Sequence, residues 1–305
     1  MTADRIIVLS GPTASGKSGL ALALAREFPV EIVNADSLQV YRYLDIGTAK
    51  PTVQERREVP HHLIDVVDPD EGYDAGRYVR EAECAIGEIR SRGKVPMVVG
   101  GTGMYIRALL RGLDPLPADP RVREEFSRRW ESEGGAALHA ELARIDPETA
   151  ARVHPSDRLR VVRAMEIAAV AGIPPSRARA AWRSAGAGRG RLFLALWPDR
   201  ETVNRRIDAR TEEMFRRGLT EEVRGLLARG FDRSLKPMMA LGYRHAVAHL
   251  LDGVPLPETI DAVKRDTRRY AKRQVTWLSS EPNLVHLSPG GAPRRAGEIV
   301  RIYLS

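Results

Sequence analysis

Gly11-Pro12-Thr13-Ala14-Ser15-Gly16-Lys17-Ser18 matches G-x-x-x-x-G-K-[ST] in full. It sits where that motif has to sit, between the apolar run Ile6-Ile7-Val8-Leu9 and a stretch of helical periodicity from Ser15 to Phe28, marked by Leu20, Leu24 and Phe28. A buried strand that passes into a helix through such a turn brings the backbone N–H groups of the loop and of the helix start to one point, and that point attracts phosphate. Lys17 adds a positive charge there, and the Ser18 hydroxyl is placed to ligate Mg²⁺. The loop therefore binds a polyphosphate, which can be ATP, GTP or another diphosphate ester.

The first third of the chain alternates between strands and helices. Val30-Glu31-Ile32-Val33 reads as a second strand, about Ala75 to Arg92 as a helix, Val95 to Val99 as a strand closed by Gly100-Gly101, and about Met104 to Leu113 as a helix. This alternation predicts an α/β fold with a parallel sheet covered on both faces. The texture changes at the proline-rich segment Leu113 to Pro120. From there to about Ala187 the pattern is helical and holds Arg121, Arg123, Arg128, Arg129, Arg158, Arg160, Arg163, Arg177, Arg179 and Arg183. It ends in the glycine-rich segment Ser184 to Gly190, and Phe193 to Trp197 reads as a strand again. The expected organisation is a first core segment over residues 1–114, an arginine-rich helical insertion over 115–191, and a returning core segment over 192–305. That last segment is read as helical to about Ser280, with a short strand at Leu284-Val285-His286-Leu287 and a terminal helix.

With 305 residues, 43% hydrophobic and 29% charged, the chain has the balance of a soluble globular protein. No apolar run approaches the roughly 18 residues that a membrane span needs. The N-terminus enters a strand at once without a signal-peptide core, which predicts a cytoplasmic protein. The lone cysteine, Cys84, makes no internal disulfide and no cysteine-based zinc site, and its helical setting predicts a packed core thiol. The net charge of +8 suggests a polyanionic partner. Only six of the 48 basic residues are lysines, so codon bias is a competing account and the positions of the charges matter more than their sum.

Asp36, in Val33-Asn34-Ala35-Asp36-Ser37, follows the second strand. In open α/β sheets ligands occupy the crevice beyond the carboxyl ends of the strands, so Asp36 is placed to face the reacting end of a bound diphosphate; a helix cap or turn is the structural alternative. A nucleotide-hydrolysing enzyme usually carries an acidic metal and water site at the end of another apolar strand. Here Pro96-Met97-Val98-Val99 runs into Gly100-Gly101-Thr102-Gly103, and Leu63-Ile64-Asp65-Val66-Val67-Asp68 is the possible substitute.

At this point the residues resemble a known family. Asp36-Ser37-Leu38-Gln39-Val40-Tyr41 followed by Leu44-Asp45-Ile46-Gly47-Thr48-Ala49-Lys50-Pro51 is similar to the segment after the phosphate loop in tRNA dimethylallyltransferases, also called tRNA isopentenyltransferases. Pro60-His61-His62-Leu63-Ile64-Asp65 and Gly100-Gly101-Thr102-Gly103-Met104-Tyr105 resemble the next blocks. Leu241-Gly242-Tyr243-Arg244 and Lys272-Arg273-Gln274-Val275-Thr276-Trp277 resemble the last two. The blocks cover roughly residues 5 to 280 in the same order. No zinc-finger extension like that of eukaryotic relatives is expected, which fits the lone cysteine and a bacterial-type enzyme.

The resemblance implies a P-loop NTPase-like core with a helical insertion. It implies transfer of a dimethylallyl group from dimethylallyl diphosphate to the exocyclic amine of the adenosine 3′ of the anticodon, with Mg²⁺ as cofactor and diphosphate as leaving group. The chemistry asks for a stabilised leaving diphosphate, which Lys17 and the metal supply, and for a base near the amine, which becomes acidic as the C–N bond forms. Asp36 is the expected base. Thr102 is expected to help hold the adenine or the phosphate side. Of Arg206 and Arg210, on one helix face, Arg210 is the expected diphosphate ligand. On the RNA side the resemblance points to Asp36, Ser37, Leu38, Gln39, Thr102, Gly242, Tyr243, Arg244 and Arg273. The target base would be extruded from the anticodon arm, and Arg123, Arg160 and Arg163 of the insertion would grip phosphates. No membrane and no obligate protein partner are expected.

In the helix from about Glu258, Ile260, Val263, Thr267, Tyr270, Gln274 and Trp277 predict the buried face. Arg265, Arg268, Arg269, Lys272 and Arg273 fall on the opposite face, which is expected to meet RNA through Arg268 and Lys272. His61-His62 lacks companion ligands at metal spacing and reads as packing or a turn. Trp130 and Trp182 read as core rather than as stacking platforms. Two alternatives stand beside the transferase: a small-molecule kinase or NTPase, and an RNA-binding protein without chemistry.

Overall fold

The computed structural model describes residues 5–112, 116–178 and 191–305. These fall into two compact units, one built from the described residues up to 110 and from 191 onward, the other from those between 111 and 178. Arg179, Trp182, Arg183, the Ser184–Gly190 segment and residues 113–115 lie outside the described residues.

The first unit is organised on six parallel strands: β1 (Ile6–Ser10), β2 (Val30–Asn34), β3 (His61–His62), β4 (Val95–Gly100), β5 (Arg191–Leu196) and β6 (Leu284–Leu287), in the order β3-β2-β4-β1-β5-β6. Successive side chains of a strand point to opposite faces, so a central strand covered on both sides must be apolar throughout. β1 obeys this rule: Ile6 and Val8 enter one core, Ile7 and Leu9 the other. Phe193 and Ala195 of β5 go with Ile6 and Val8, while Leu192, Leu194 and Leu196 join Ile7 and Leu9.

The helix α1 (Lys17–Glu27) covers the second face through Leu20, Ala21 and Leu24. The helices α2 (Val53–Glu58), α3 (Ala75–Ser91) and α4 (Gly103–Arg111) follow in the chain, and α3 and α4 cover the first face through Tyr78, Ala82, Ile86, Tyr105, Ile106 and Leu109. Cys84 is the outward residue of α3: it is exposed, contrary to the expectation of a core thiol, because Ala82, Ala85, Ile86 and Ile89 fill the inward stripe. Leu63–Asp68 is not a strand. It is an irregular segment whose backbone bridges to Tyr41 only at Val67.

The second unit contains α5 (Pro120–Glu133), α6 (Gly135–Ile145), α7 (Pro147–Ala150) and α8 (Arg158–Ala171), with no strand among its described residues. Asp119, Asp146 and Asp157 accept backbone N–H groups at the starts of α5, α7 and α8. Phe126, Leu138, Leu142, Val161, Val162 and Met165 form its core, and Trp130 packs against it.

After β5 the first unit continues with α9 (Arg200–Arg216), α10 (Leu219–Ala228), α11 (Tyr243–Asp252), α12 (Leu256–Leu278) and, after β6, α13 (Ala292–Leu304). On α12 the fully buried residues are Thr259, Val263, Ala271, Gln274 and Leu278. Ile260, Thr267, Tyr270 and Trp277, expected in that stripe, are only partly buried. The stripe is rotated because Ala271 packs on Val203 and Ile207 of α9, while Thr267 and Tyr270 face a cavity. Arg265, Arg268, Arg269, Lys272 and Arg273 are exposed. Among the described residues no helix is long and apolar enough to cross a membrane.

Candidate active site

The carboxyl ends of β2, β4 and β1 lie side by side, and each passes into one part of the site. β1 delivers the loop 11–18. Gly16 sits at φ 96°, in the left-handed region where a side chain is strained, and offers no side-chain cap to α1. The start of α1 is thus left with uncapped N–H groups pointing out of the loop. β2 delivers Asp36. Asn34 fixes the turn, donating to the Leu63 carbonyl at 2.9 Å and accepting the Asp36 N–H at 3.1 Å. β4 delivers Gly101, Thr102 and Gly103. The Thr102 hydroxyl accepts the Ser37 N–H at 3.0 Å, and the Thr102 N–H donates to the Ala35 carbonyl at 3.2 Å. Thr102 thereby holds the loop that carries Asp36.

Two helices of the C-terminal segment close over these loops. From α9, Arg206 donates to the Ser15 carbonyl at 3.0 Å, and Arg210 donates to the Thr13 hydroxyl at 3.2 Å and to the Thr48 carbonyl at 3.5 Å. Of the two, Arg210 lines the cavities described below and Arg206 braces the loop from outside. From α12, Gln274 accepts the Thr13 N–H at 2.8 Å and donates to the Gly101 carbonyl at 3.0 Å. A Cβ on residue 101 would lie 2.3 Å from the Gln274 amide nitrogen, so a side chain there would push that amide out of its clasp.

Two cavities meet at this constellation. One, of about 170 Å³, is lined by Lys17, Ser18, Asn34, Gln39 and Gln274; the other, of about 340 Å³, by Ser37, Leu38, Gly242, Arg244 and Arg273. Thr13, Asp36, Thr48, Arg210 and Tyr270 line both. Burial lowers the Lys17 pKa to about 8, with Arg210 adding to the fall and Asp36 opposing it. Burial also lowers Arg210, again against the Asp36 charge. Burial and the same carboxylate push the Tyr270 hydroxyl up, so it stays protonated. A crowded pair of cations beside one carboxylate is a net-positive pocket, suited to an anion of more than one charge. Ser18 and Asp36 are oxygen donors on one cavity. That set suits Mg²⁺, which takes one or two protein oxygens together with phosphate oxygens and water. Among the described residues no group of three or more His, Cys, Asp or Glu could hold a metal unaided.

Several expected site residues have other work. Tyr243 is fully buried and its hydroxyl donates to Glu222 at 2.6 Å, so it does not line the second cavity. Glu222 also accepts the N–H groups of Asp45, Ile46 and Gly47, at 3.0, 2.7 and 3.3 Å, and so shapes the loop that brings Thr48 to the cavities. Sequence reasoning missed Glu222, because nothing in Leu219–Ala228 distinguishes it from a solvent-facing helix residue. It also missed the clasp made by Gln274, read as one residue of a buried stripe and of the last family block. Arg123 and Arg163 have an internal partner: both pair with Glu166, which is 0% exposed, at 2.9 and 2.7 Å. Arg160 is the most exposed of the three, 71% exposed, and meets only the surface carboxylate of Asp157, at 3.5 Å. Arg244 pairs with Asp266 at 2.6 Å, and Arg268 pairs with Asp208. Arg268 and Lys272 line neither of the two cavities. Asp65 pairs with Lys50 and Arg56, and Asp68 with Arg42, so neither supplies the acidic site that a substitute nucleotide-hydrolysing strand would need. His62 pairs with Glu31 on the short edge strand.

The parallel sheet, the loop 11–18 and the cavities beyond its strand ends define an α/β protein with a P-loop NTPase-like fold. Residues 39–281 match the family described as IPP transferase, and residues 4–70 the family described as isopentenyl transferase. The chain belongs to the IPP transferase family. It is 49% identical over 304 residues to the tRNA dimethylallyltransferase of Desulfosudis oleivorans, covering 99% of this chain and 97% of that one. It is 48% identical to the tRNA dimethylallyltransferase of Geobacter sulfurreducens, covering 91% and 90%. Among solved structures, the tRNA isopentenylpyrophosphate transferase of Bacillus halodurans superposes with a TM-score of 0.73 at 35% identity, over 99% of this chain and 97% of that one. A eukaryotic dimethylallyltransferase acting on tRNA superposes with a TM-score of 0.83 at 30% identity, over 99% and 79%.

Proposed function

We propose that this protein transfers a dimethylallyl group from dimethylallyl diphosphate to the exocyclic amine of the adenosine 3′ of the anticodon in tRNA. The observation that carries this reading is the shared wall: Asp36, Thr13 and Arg210 line both cavities. A donor in one cavity and an acceptor base in the other would meet at a carboxylate, beside cations.

In the reaction the bond from the donor's first carbon to the diphosphate oxygen breaks, and a bond from that carbon to the adenine nitrogen forms. The amine proton passes to the Asp36 carboxylate, and the diphosphate leaves with the electron pair. Lys17, Arg210 and the N–H groups at the start of α1 counter the charge that grows on the leaving group, and they do so from fixed positions. Thr102 and Asn34 orient Asp36 through the backbone of residues 34–38. Ser18 would hold Mg²⁺ together with diphosphate oxygens and water, and the metal would screen the diphosphate charge while Asp36 serves as the base. Exposed Arg160 is the residue of α8 best suited to an RNA phosphate.

Incubation with labelled dimethylallyl diphosphate and unmodified tRNA, followed by nucleoside analysis, tests the reading. Label in a prenylated adenosine is the expected result. Label-free nucleosides, with ATP turnover in the absence of RNA, would restore the small-molecule kinase.

A further inference from the structure

A third cavity, of about 300 Å³, lies between the start of α9 and a different flank of α12, and shares no lining residue with the other two. Its floor is apolar, made by Val203, Ala271 and Val275, and Trp197 forms a wall. The Trp197 ring is steadied by His286, with ring centroids 4.7 Å apart. Four cations line the cavity, Arg200, Arg268, Arg269 and Lys272, and no carboxylate does. Arg268 is paired with Asp208, and Arg269 with Asp266 at 3.3 Å. Arg200 and Lys272 have no acidic partner among the described residues.

Two of the four charges are matched by Asp208 and Asp266, and the two that are not, on Arg200 and Lys272, repel each other across one apolar-floored space. An anion relieves it. An aromatic wall beside two unmatched cations is the arrangement that takes a ring and a phosphate together. The volume is at the lower end for small-ligand pockets, enough for one nucleotide unit. Asn204 adds an amide that can donate to and accept from a base edge.

We propose that this cavity is a second phosphate-binding site whose ligand is a nucleotide, with the base against Trp197 and the phosphate between Arg200 and Lys272. The nucleotide is either free or one unit of the acceptor RNA away from the reacting adenosine; the second source rests on the proposed function.

The test uses the full chain, the double variant Arg200→Ala/Lys272→Ala, and Trp197→Leu. The probes are AMP and unmodified tRNA. If the source is a free nucleotide, AMP quenches tryptophan fluorescence saturably in the parent chain. It then binds at least tenfold more weakly to the double variant, and the quench disappears in Trp197→Leu. If the source is RNA, AMP gives no saturable quench, while tRNA affinity falls at least tenfold at low salt in the double variant. The slope of log affinity against log salt then drops by roughly 0.7–0.9 for each of the two lost contacts. AMP and tRNA affinities that both stay within twofold of the parent overturn the site. Both replaced cations are exposed, so folding is expected to survive; if the double variant melts early, Trp197→Leu carries the same comparison. Prenyl transfer by the parent chain is measured alongside: its failure would sink the proposed function and leave the AMP arm readable.

Discussion

The Gln274 side chain accepts the backbone N–H of Thr13 at 2.8 Å, tying a helix near the C-terminus to the loop that opens the chain. The same amide donates to the Gly101 carbonyl at 3.0 Å, so one side chain sets the spacing of two site loops. Gln274→Ala takes the side-chain partner from the half-buried Thr13 N–H and from the buried Gly101 carbonyl. Small displacements of reacting groups cost up to about 10²-fold in rate, so kcat/KM is expected to fall about 10–100-fold. Gln274→Glu keeps the acceptor but sets a carboxylate oxygen against the Gly101 carbonyl and a negative charge beside the Lys17 cavity, so it should fall at least as far as Ala. Steady-state kinetics on the three proteins, with tRNA affinity as control, check this; an equal loss of RNA affinity would make the residue merely structural.

Asp36 is the carboxylate on the wall common to both cavities. Asp36→Ala is expected to lower single-turnover transfer by about 10²–10⁴-fold, the scale of losing a general base, with tRNA binding kept. Transfer at near-parent rates would remove Asp36 from that role.

Lys17 titrates at about 8, brought down chiefly by burial. Its charge is present below that pH and lost above it, and a bound diphosphate raises the pKa again. Donor affinity should therefore hold steady below pH 8 and weaken above it, approaching about tenfold per pH unit for one coupled proton. Without a bound anion the linkage to stability has the opposite sense. Burying the charge costs stability below pH 8, and that cost is relieved as pH rises toward the ordinary lysine value of 10.5. Titration calorimetry from pH 7 to 9.5 on the parent and Lys17→Ala checks the binding half; an equal pH dependence in both would assign the proton elsewhere.

Glu166 separates the arginines of the helical unit that a buried carboxylate holds from Arg160, which meets only the surface carboxylate of Asp157. Burial opposes its ionisation, but Arg123 and Arg163 outweigh that and hold its carboxyl below the ordinary glutamate value. Its stabilisation is present above the ordinary value of 4.5 and is lost as pH falls below it through the lowered pKa. Arg123→Ala and Glu166→Ala are each expected to cost about 1.5–3 kcal/mol, the scale of a charged hydrogen bond, measured by urea melts at pH 7. The gap between parent and Glu166→Ala should shrink by pH 3. Arg160→Ala is expected to leave the melt unchanged and to reduce the salt slope of tRNA binding by roughly 0.7–0.9. The reverse pattern would return Arg123 to the RNA and Arg160 to the fold.

The local facts were legible in the sequence. The motif at 11–18 fixes its own backbone through Gly16 and the strand before it, and the unbroken apolar runs of β1 and β4 require a sheet buried on both faces. The position of Asp36 follows from the end of β2, and the ordered blocks place the chain in its family. Tertiary structure alone decided which side chains share a cavity and which are already spoken for. Gln274 reaches Thr13 across 261 positions, and Glu222 reaches Asp45 across 177. No local periodicity encodes such pairs, because a helix pattern records which face is buried and not what that face meets. Arg123, Arg163 and Arg160 look alike in sequence, and only the packing of α5 on α8 around a buried Glu166 claims the first two and leaves the third to solvent. Cys84 shows the same limit: a small apolar side chain in a helix suits either face, and the space left by Ala82 and Ile86 decided which.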